Sequence, residues 1–279
     1  MKIKFTKMQG IGNDYIYFDC MKNDLLGFEK FAEKLSDRHF GIGGDGIVLI
    51  KKSDVADAKM QMFNADGSEG KMCGNAIRCV GKYLFDNGYT DKKEIDVETL
   101  SGIKHLLLSI KGNSVDCVSV DMGTPVFKSS LIPVAVKEET VIDKKAVIGG
   151  KEYLINCVSM GNPHCVVFVD NLDFDISKIG PLFENDPLFP DRVNTEFVKV
   201  ISNNRLQMRV WERGSGETLA CGTGACAVGC VAVKKGVCSE GEITVELLGG
   251  ELIITVKDDK VIMTGKAEVS FEGEIELDV

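Results

Sequence analysis

The sequence predicts a sheet-rich α/β chain built from two related halves, on three observations. A cysteine motif occurs twice, as KMCGNAIRCVG around Cys73 and LACGTGACAVG around Cys221, 148 residues apart (221 − 73) in a chain of 279. In each copy Gly and a small polar residue follow the cysteine (Gly74-Asn75, Gly222-Thr223), and an apolar stretch with Val-Gly comes next. Upstream, Phe63 aligns with Trp211 and Glu69 with Glu217 at the same offset, and Gly12-Asn13 aligns with Gly161-Asn162 one residue further on. The third observation is that short alternating or apolar runs bounded by Gly, Asp and Asn recur through both halves, the pattern of strands and turns.

In the first half the expected strands are IKFTKMQG, IYFDCM, GIVLI, AKMQMFNADG, IDVETLSG, LLLSI and CVSVDMG. A helix is expected over FEKFAEKLSDRHFG, and a clearer one begins at Cys73, places Ile77, Val80 and Leu84 on one face and stops near Gly88. Pro125 and Pro133 flank a polar stretch, which sets the boundary near residues 122 to 130. The second half repeats the style with EYLINCVSMGN, CVVFVD, TEFVKVI, LQMRVWERG, EITVELLGG and ELIITV. Its helices are a weaker DFDISKIGPLFEN and one from Cys221, which presents Ala225, Val228 and Ala232 and carries Lys234 and Lys235 before Gly236. The domains are therefore expected at 1–122, with the C-terminal strand 268–279 returning to that half, and at 123–267.

Composition bounds the function. A content of 44% hydrophobic residues is enough for a core in each half, so a soluble globular protein is expected. No run reaches the ~18 apolar residues of a membrane span, and the N-terminus lacks an unbroken apolar signal region, so no membrane association and a cytoplasmic location are expected. Ten cysteines diluted in such a chain are expected to be reduced thiols. The spacing shows no Cys-x2-Cys, and His39, His105 and His164 form no paired ligand pattern, so no metal is expected. A net charge of −9 with dispersed Lys and Arg disfavours nucleic acid as a partner.

A thiol at a helix N-terminus meets unpaired N–H groups and the positive end of the helix dipole, which favour the thiolate and make it a candidate base. The duplicated context sets Cys73 and Cys221 apart from eight other cysteines that read as small buried residues. Gly after each cysteine lets a ligand approach the backbone, and the N–H groups of Gly74, Asn75, Gly222 and Thr223 suit an anion such as a carboxylate. Two thiols, one from each half facing across a cleft, suggest stereoinversion by two bases: one thiolate removes a proton from one face of a carbon while the other thiol protonates the opposite face. No pyridoxal lysine motif or nucleotide-binding glycine loop is evident, so no cofactor is expected.

The segments MQGIGNDYIYFD, RHFGIGGDG, FNADGSEGKMCGNAIRC, GNPHCVVFVD, VNTEFV and WERGSGETLACGTGA, in this order along nearly the whole chain, resemble the diaminopimelate epimerases. The resemblance implies two pseudo-symmetric α/β domains, each a bent, mostly antiparallel sheet wrapped around a central helix, with the active site between them. It implies interconversion of LL- and meso-diaminopimelate without cofactor, in lysine and peptidoglycan biosynthesis, by an isomerase that forms a homodimer. Cys73 and Cys221 match the catalytic cysteines, and Gly74, Asn75, Gly222 and Thr223 match the positions that hold the reacting carboxylate. Asn13, Asn64, Asn162, Asn194, Glu212 and Arg213 match the polar residues that hold the substrate. The Arg213 fork suits a distal carboxylate and Glu212 an ammonium group. His164, with Glu212, matches residues that modulate the protonation of the cysteines. One departure stands out: where some members of the family have Gln, this chain has Gly46, so a side-chain contact there is not expected.

Two other readings remain at this point. A proline racemase or hydroxyproline epimerase would also use two cysteines, but its substrate has no second amino-acid head group for Asn64, Asn194, Glu212 and Arg213 to hold. A thiol redox or binding protein is the other, against which stand the wide separation and the duplication of the two cysteines.

Overall fold

The computed structural model describes residues 2–22 and 27–277. Its contacts divide the chain into two compact units, one of residues up to Val120 together with those from Gly265 on, the other Asp121–Thr264.

In the first unit β1 (Lys2–Gly10) lies antiparallel to β2 (Asn13–Cys20) and to the C-terminal strand (Glu268–Glu276). β2 runs parallel to β3 (Gly46–Lys51), which pairs antiparallel with β4 (Ala58–Asn64). β4 pairs antiparallel with the two-residue β5 (Glu69–Gly70) and parallel with β6 (Glu94–Thr99). The antiparallel β7 (Gly102–Lys111) and β8 (Ser114–Gly123) complete the run. Alternation dictates which face is covered: in β6, Ile95, Val97 and Thr99 are buried while their neighbours are not.

The helix expected over FEKFAEKLSDRHFG is broken in two. A 3-10 turn, Phe28–Phe31, leads into α1 (Ala32–Ser36) and the chain then turns away. The Asp37 carboxylate accepts from the backbone N–H of His39 at 2.7 Å and of Phe40 at 2.8 Å, a local alternative to the helical ladder that ends the helix. α2 (Gly74–Asp86) begins at Cys73, which is extended at φ −131° and ψ 120°, and ends before Gly88 at φ 72°. Ile77, Val80 and Leu84 are all buried on it, as their spacing requires.

The second unit repeats this wiring. β9 (Lys144–Ile148) and β10 (Lys151–Ser159) form a hairpin about Gly149-Gly150, whose positive φ values a two-residue hairpin needs. β9 is absent from the strands expected from the sequence. β10 is antiparallel to β11 (Pro163–Phe168), which runs parallel to β12 (Asn194–Ser202). Between them lies α3 (Ile176–Glu184), capped by Asp175, whose side chain accepts from Ser177 N. β12 is antiparallel to β13 (Arg205–Glu212), which pairs antiparallel with β14 (Gly216–Glu217) and parallel with β15 (Gly241–Leu247). α4 (Gly222–Lys234) intervenes, and the antiparallel β16 (Gly250–Lys257) and β17 (Lys260–Lys266) follow. The register repeats as well: Ile47 sits opposite Phe63, and Thr195 opposite Trp211, each residue shifted by the offset of the cysteines.

Each unit has its own core. Ile16, Phe18, Leu35, Ile47 and Leu49 are among the buried residues of the first, and Ile155, Val167, Phe183, Val193 and Phe197 of the second. The ten cysteines are all free thiols. Among the described residues no helix is long and apolar enough to cross a membrane, and no group of three or more His, Cys, Asp and Glu could hold a metal ion.

Candidate active site

Both motif cysteines are N-caps. Cys73 precedes α2 and Cys221 precedes α4, each in extended backbone, so each Sγ stands at the first turn of a 13-residue helix. The helical ladders start at Ile77 N to Cys73 O and Ala225 N to Cys221 O, both 3.0 Å. The N–H groups of Gly74, Asn75, Gly222 and Thr223 lie ahead of those bonds, at the positive end of the helices.

The surroundings of the two thiols differ. Cys73 is half-buried, makes no capping bond to its helix, and donates to Asn13 Oδ1 at 3.3 Å. Asn13 Nδ2 donates to Asp45 Oδ2 at 2.7 Å, and Arg38 bridges Asp45 (2.9 Å) and Asp14 (2.6 Å). The buried Lys7 completes this network at 2.6 Å from Asp14. Burial would raise the Asp14 carboxyl, but the hydrogen bonds and charges of Arg38 and Lys7 outweigh it and hold the group below its ordinary value.

Cys221 is buried and caps its helix, accepting from Gly224 N at 3.4 Å, with Thr223 Oγ1 at 3.6 Å. The expectation that a helix N-terminus lowers the thiol fails here. Burial, followed by the charges of Glu212 and Glu196, pushes Cys221 well above its ordinary value against the Thr223 and Gly224 hydrogen bonds. The Glu212 carboxylate accepts from Thr218 Oγ1 and from Cys221, and burial raises it too.

A polar chain reaches the same thiol from the other side. The fully buried Glu196 holds His164 Nδ1 at 2.7 Å, and His164 Nε2 meets Asn162 Oδ1 at 2.9 Å. Asn162 Nδ2 in turn donates to Thr223 Oγ1 at 3.4 Å. Both ends of the Asn194 amide are committed to backbone, Nδ2 to Pro163 O at 2.8 Å and Oδ1 to Arg213 N at 3.0 Å, so it fixes the strand end that bears Glu212 and Arg213. The Arg213 side chain donates to Asp191 O at 2.7 Å.

Full-length similarity decides the family. The family model described as diaminopimelate epimerase matches residues 5–128 and 156–270. The chain is 56% identical to the diaminopimelate epimerase of Acetivibrio thermocellus over 278 residues, covering 99% of both. It is 53% identical to that of Methanococcus maripaludis, covering 99% of this chain and all of the relative. The chain belongs to the diaminopimelate epimerase family. Solved structures share the fold at much lower identity: a PhzF-family phenazine biosynthesis protein from Bacillus anthracis (TM-score 0.71, 18% identity, 99% of this chain and 100% of that one) and a hydroxyproline epimerase from Agrobacterium vitis (TM-score 0.71, 14% identity, 98% and 91%).

Of the residues carried over from the diaminopimelate epimerases, Asn13 is brought to Cys73, while Asn162, His164, Glu212 and Thr223 gather around Cys221. Asn64 closes the β4–β5 turn, donating to Ser68 Oγ at 3.0 Å. Gly46 lies opposite Asn64, where a Cβ would stand 2.0 Å from the Phe63 carbonyl oxygen and 2.7 Å from Tyr15 Cε1. In this backbone the position accepts no side chain at all. Three residues escaped the sequence reading: Glu196, Thr218 and Asp45. A charged residue inside the apolar run of β12 was the signal for Glu196, whereas Asp45 in GGDG reads as an ordinary turn residue.

Proposed function

We propose that this chain interconverts LL- and meso-diaminopimelate by proton transfer at one α-carbon, with Cys73 and Cys221 as the acid–base pair and no cofactor. The observation that carries the reading is that both cysteines are N-caps of matching helices in units of the same topology. Stereoinversion needs a base on one face of a carbon and an acid on the other, and two such thiols supply one each. A thiolate takes the α-proton, the carbanion is stabilised through its carboxylate, and the other thiol delivers its own proton to the opposite face. The charge lost at one sulfur appears on the other, so the reverse reaction uses the same groups with their roles exchanged.

The N–H groups of Gly74, Asn75, Gly222 and Thr223 hold the reacting carboxylate, and Asn13, Asn64, Asn162, Asn194, Glu212 and Arg213 hold the rest of the substrate, Arg213 taking the distal carboxylate. His164 and Glu212 adjust the protonation of the thiols, and the hydrogen bond from Cys221 to Glu212 supports that role. The ten free thiols favour a reducing cytoplasm. Lysine and peptidoglycan biosynthesis are the processes this reaction serves. The homodimer expected from the family resemblance is part of the proposal, and sedimentation tests it.

In deuterium oxide, reduced protein is expected to exchange the α-proton of diaminopimelate and leave proline and lysine nearly untouched. Cys73→Ala and Cys221→Ala should each lower epimerisation by several orders of magnitude, with losses that do not add in the double variant. Near wild-type turnover by either folded variant would rule out the two-base assignment.

A further inference from the structure

The Asn13 amide is caught between two groups of fixed hydrogen-bonding character. On one side stands Asp45, a carboxylate that can only accept, 2.7 Å from Asn13 Nδ2. The amide nitrogen must therefore face Asp45, and the carbonyl oxygen is left facing Cys73 Sγ at 3.3 Å. An amide oxygen can only accept, so this contact is favourable when the sulfur carries its proton and repulsive when it is a thiolate. Asp45 is itself held, its other oxygen receiving Arg38 at 2.9 Å while its Oδ2 also takes the Asp14 N–H at 3.1 Å.

We propose that Asp45 is a positioning residue which, by fixing the Asn13 amide with its oxygen toward Cys73, holds that thiol in its protonated, hydrogen-bond-donating form. The inference deepens the reading of Cys73 as a proton-transferring group and rests on it. The second unit contains no copy of the device. There the sulfur of Cys221 accepts the Gly224 N–H, and the matching Asn162 turns its oxygen to His164. Cys221 also donates, but to the Glu212 carboxylate rather than to an amide oxygen fixed by a second carboxylate, so different groups hold the two thiols. Tyr17 on β2 and Cys79 on α2 interact electrostatically with Cys73, Arg78 acts on Cys79, and Asp14, Arg38 and Lys7 form the charged network behind Asp45.

The test is the pH dependence of iodoacetamide alkylation at Cys73, read by mass spectrometry of its peptide in full-length reduced protein without substrate. In Asp45→Ala the amide is free to turn its N–H toward the sulfur and a nearby negative charge is gone. The alkylation midpoint of Cys73 is expected to fall by about one pH unit, equivalent to roughly tenfold faster labelling at neutral pH. Asp45→Asn, which preserves the size but can present either end of its amide, should shift it in the same direction by less. Cys117, half-buried in the same unit, is the control for general loosening and should keep its profile. The proposal is overturned by an unchanged or raised midpoint at Cys73, or by Cys73 and Cys117 accelerating together at every pH. Should the Ala variant fail to melt cooperatively, the Asn variant is judged by the same criteria. Because no turnover is measured, a failure here is distinct from a failure of the two-base reading, which the activities of Cys73→Ala and Cys221→Ala decide.

Discussion

In the proposed reading, Arg213 is the side chain that separates diaminopimelate from substrates with no distal carboxylate. Its backbone is pinned by Asn194 Oδ1 and one of its side-chain donors by Asp191 O, so the planar fork is oriented before a ligand arrives. With the distal carboxylate as its partner, Arg213→Met leaves that charge and its polar neighbours unpaired. The expected loss in kcat/KM is roughly 2 to 5 kcal/mol, the range for a desolvated charged contact that loses one side. Arg213→Lys should recover little, because an ammonium cannot reproduce two parallel N–H bonds. Steady-state kinetics on both variants check this, and a Lys variant with near wild-type kcat/KM would remove the bidentate role. Sequence and structure part company over the thiols. The motif marks Cys221 as a helix cap, but only the packed structure shows that burial, with Glu212 and Glu196 alongside, outweighs the helix terminus.

At the scale of elements, the repeated Val-Gly of the motif is explained by how the two helices pack. Gly81 of α2 and Gly229 of α4 hold matching places, and a Cβ on either would press on a neighbouring strand of its own unit. For Gly81 the nearest atoms are Leu106 Cδ2 at 2.9 Å and Leu108 Cδ2 at 3.1 Å, the ends of flexible side chains. For Gly229 they are Ile254 Cγ2 at 2.9 Å and Cβ at 3.4 Å, on a β-branched residue with little rotamer freedom. Alanine in a helix interior returns about 0.5 to 1 kcal/mol over glycine. Gly81→Ala is therefore expected to be near neutral, whereas Gly229→Ala should cost about 1 to 2 kcal/mol through overpacking. Chemical denaturation of both variants measures the difference, and equal effects would contradict it. These two helices were legible because period and cap coincide at the cysteines. The helix expected over residues 28–41 was not, because Asp37 offers the backbone its own hydrogen bonds, and β9 was missed because its turn signal, Gly149-Gly150, falls between short and weakly patterned runs.

For the whole molecule, the duplication was readable from the spacing of motifs and returns as an identical order of parallel and antiparallel pairings in the two units. What no motif revealed is how far the halves have diverged inside: Tyr15 and Val48 occupy the places that His164 and Glu196 hold in the second unit. Burial of so many thiols also has a consequence for the stability of the whole chain. Burial raises Cys79 to about 11, against a weaker opposing hydrogen bond from Tyr17, and raises Cys230 to about 12. Cys165 and Cys221 are pushed upward by the same cause. An unfolded thiol titrates near 8.5, so the folded state holds protons that the unfolded chain gives up first. The stability these groups contribute is fully present below about pH 8.5 and is lost as pH rises toward their folded values. At pH 10 Cys79 and Cys230 should each have forfeited about 1 to 2 kcal/mol, an appreciable share of the roughly 5 to 15 kcal/mol typical of a domain. Thermal melts in reductant are expected to hold steady from pH 7 to 8.5 and then fall steeply, and Cys230→Ala should lessen the fall while shifting the neutral-pH melt much less. A melting temperature that stayed level to pH 10 would show that these thiols do not remain buried and protonated in the folded chain.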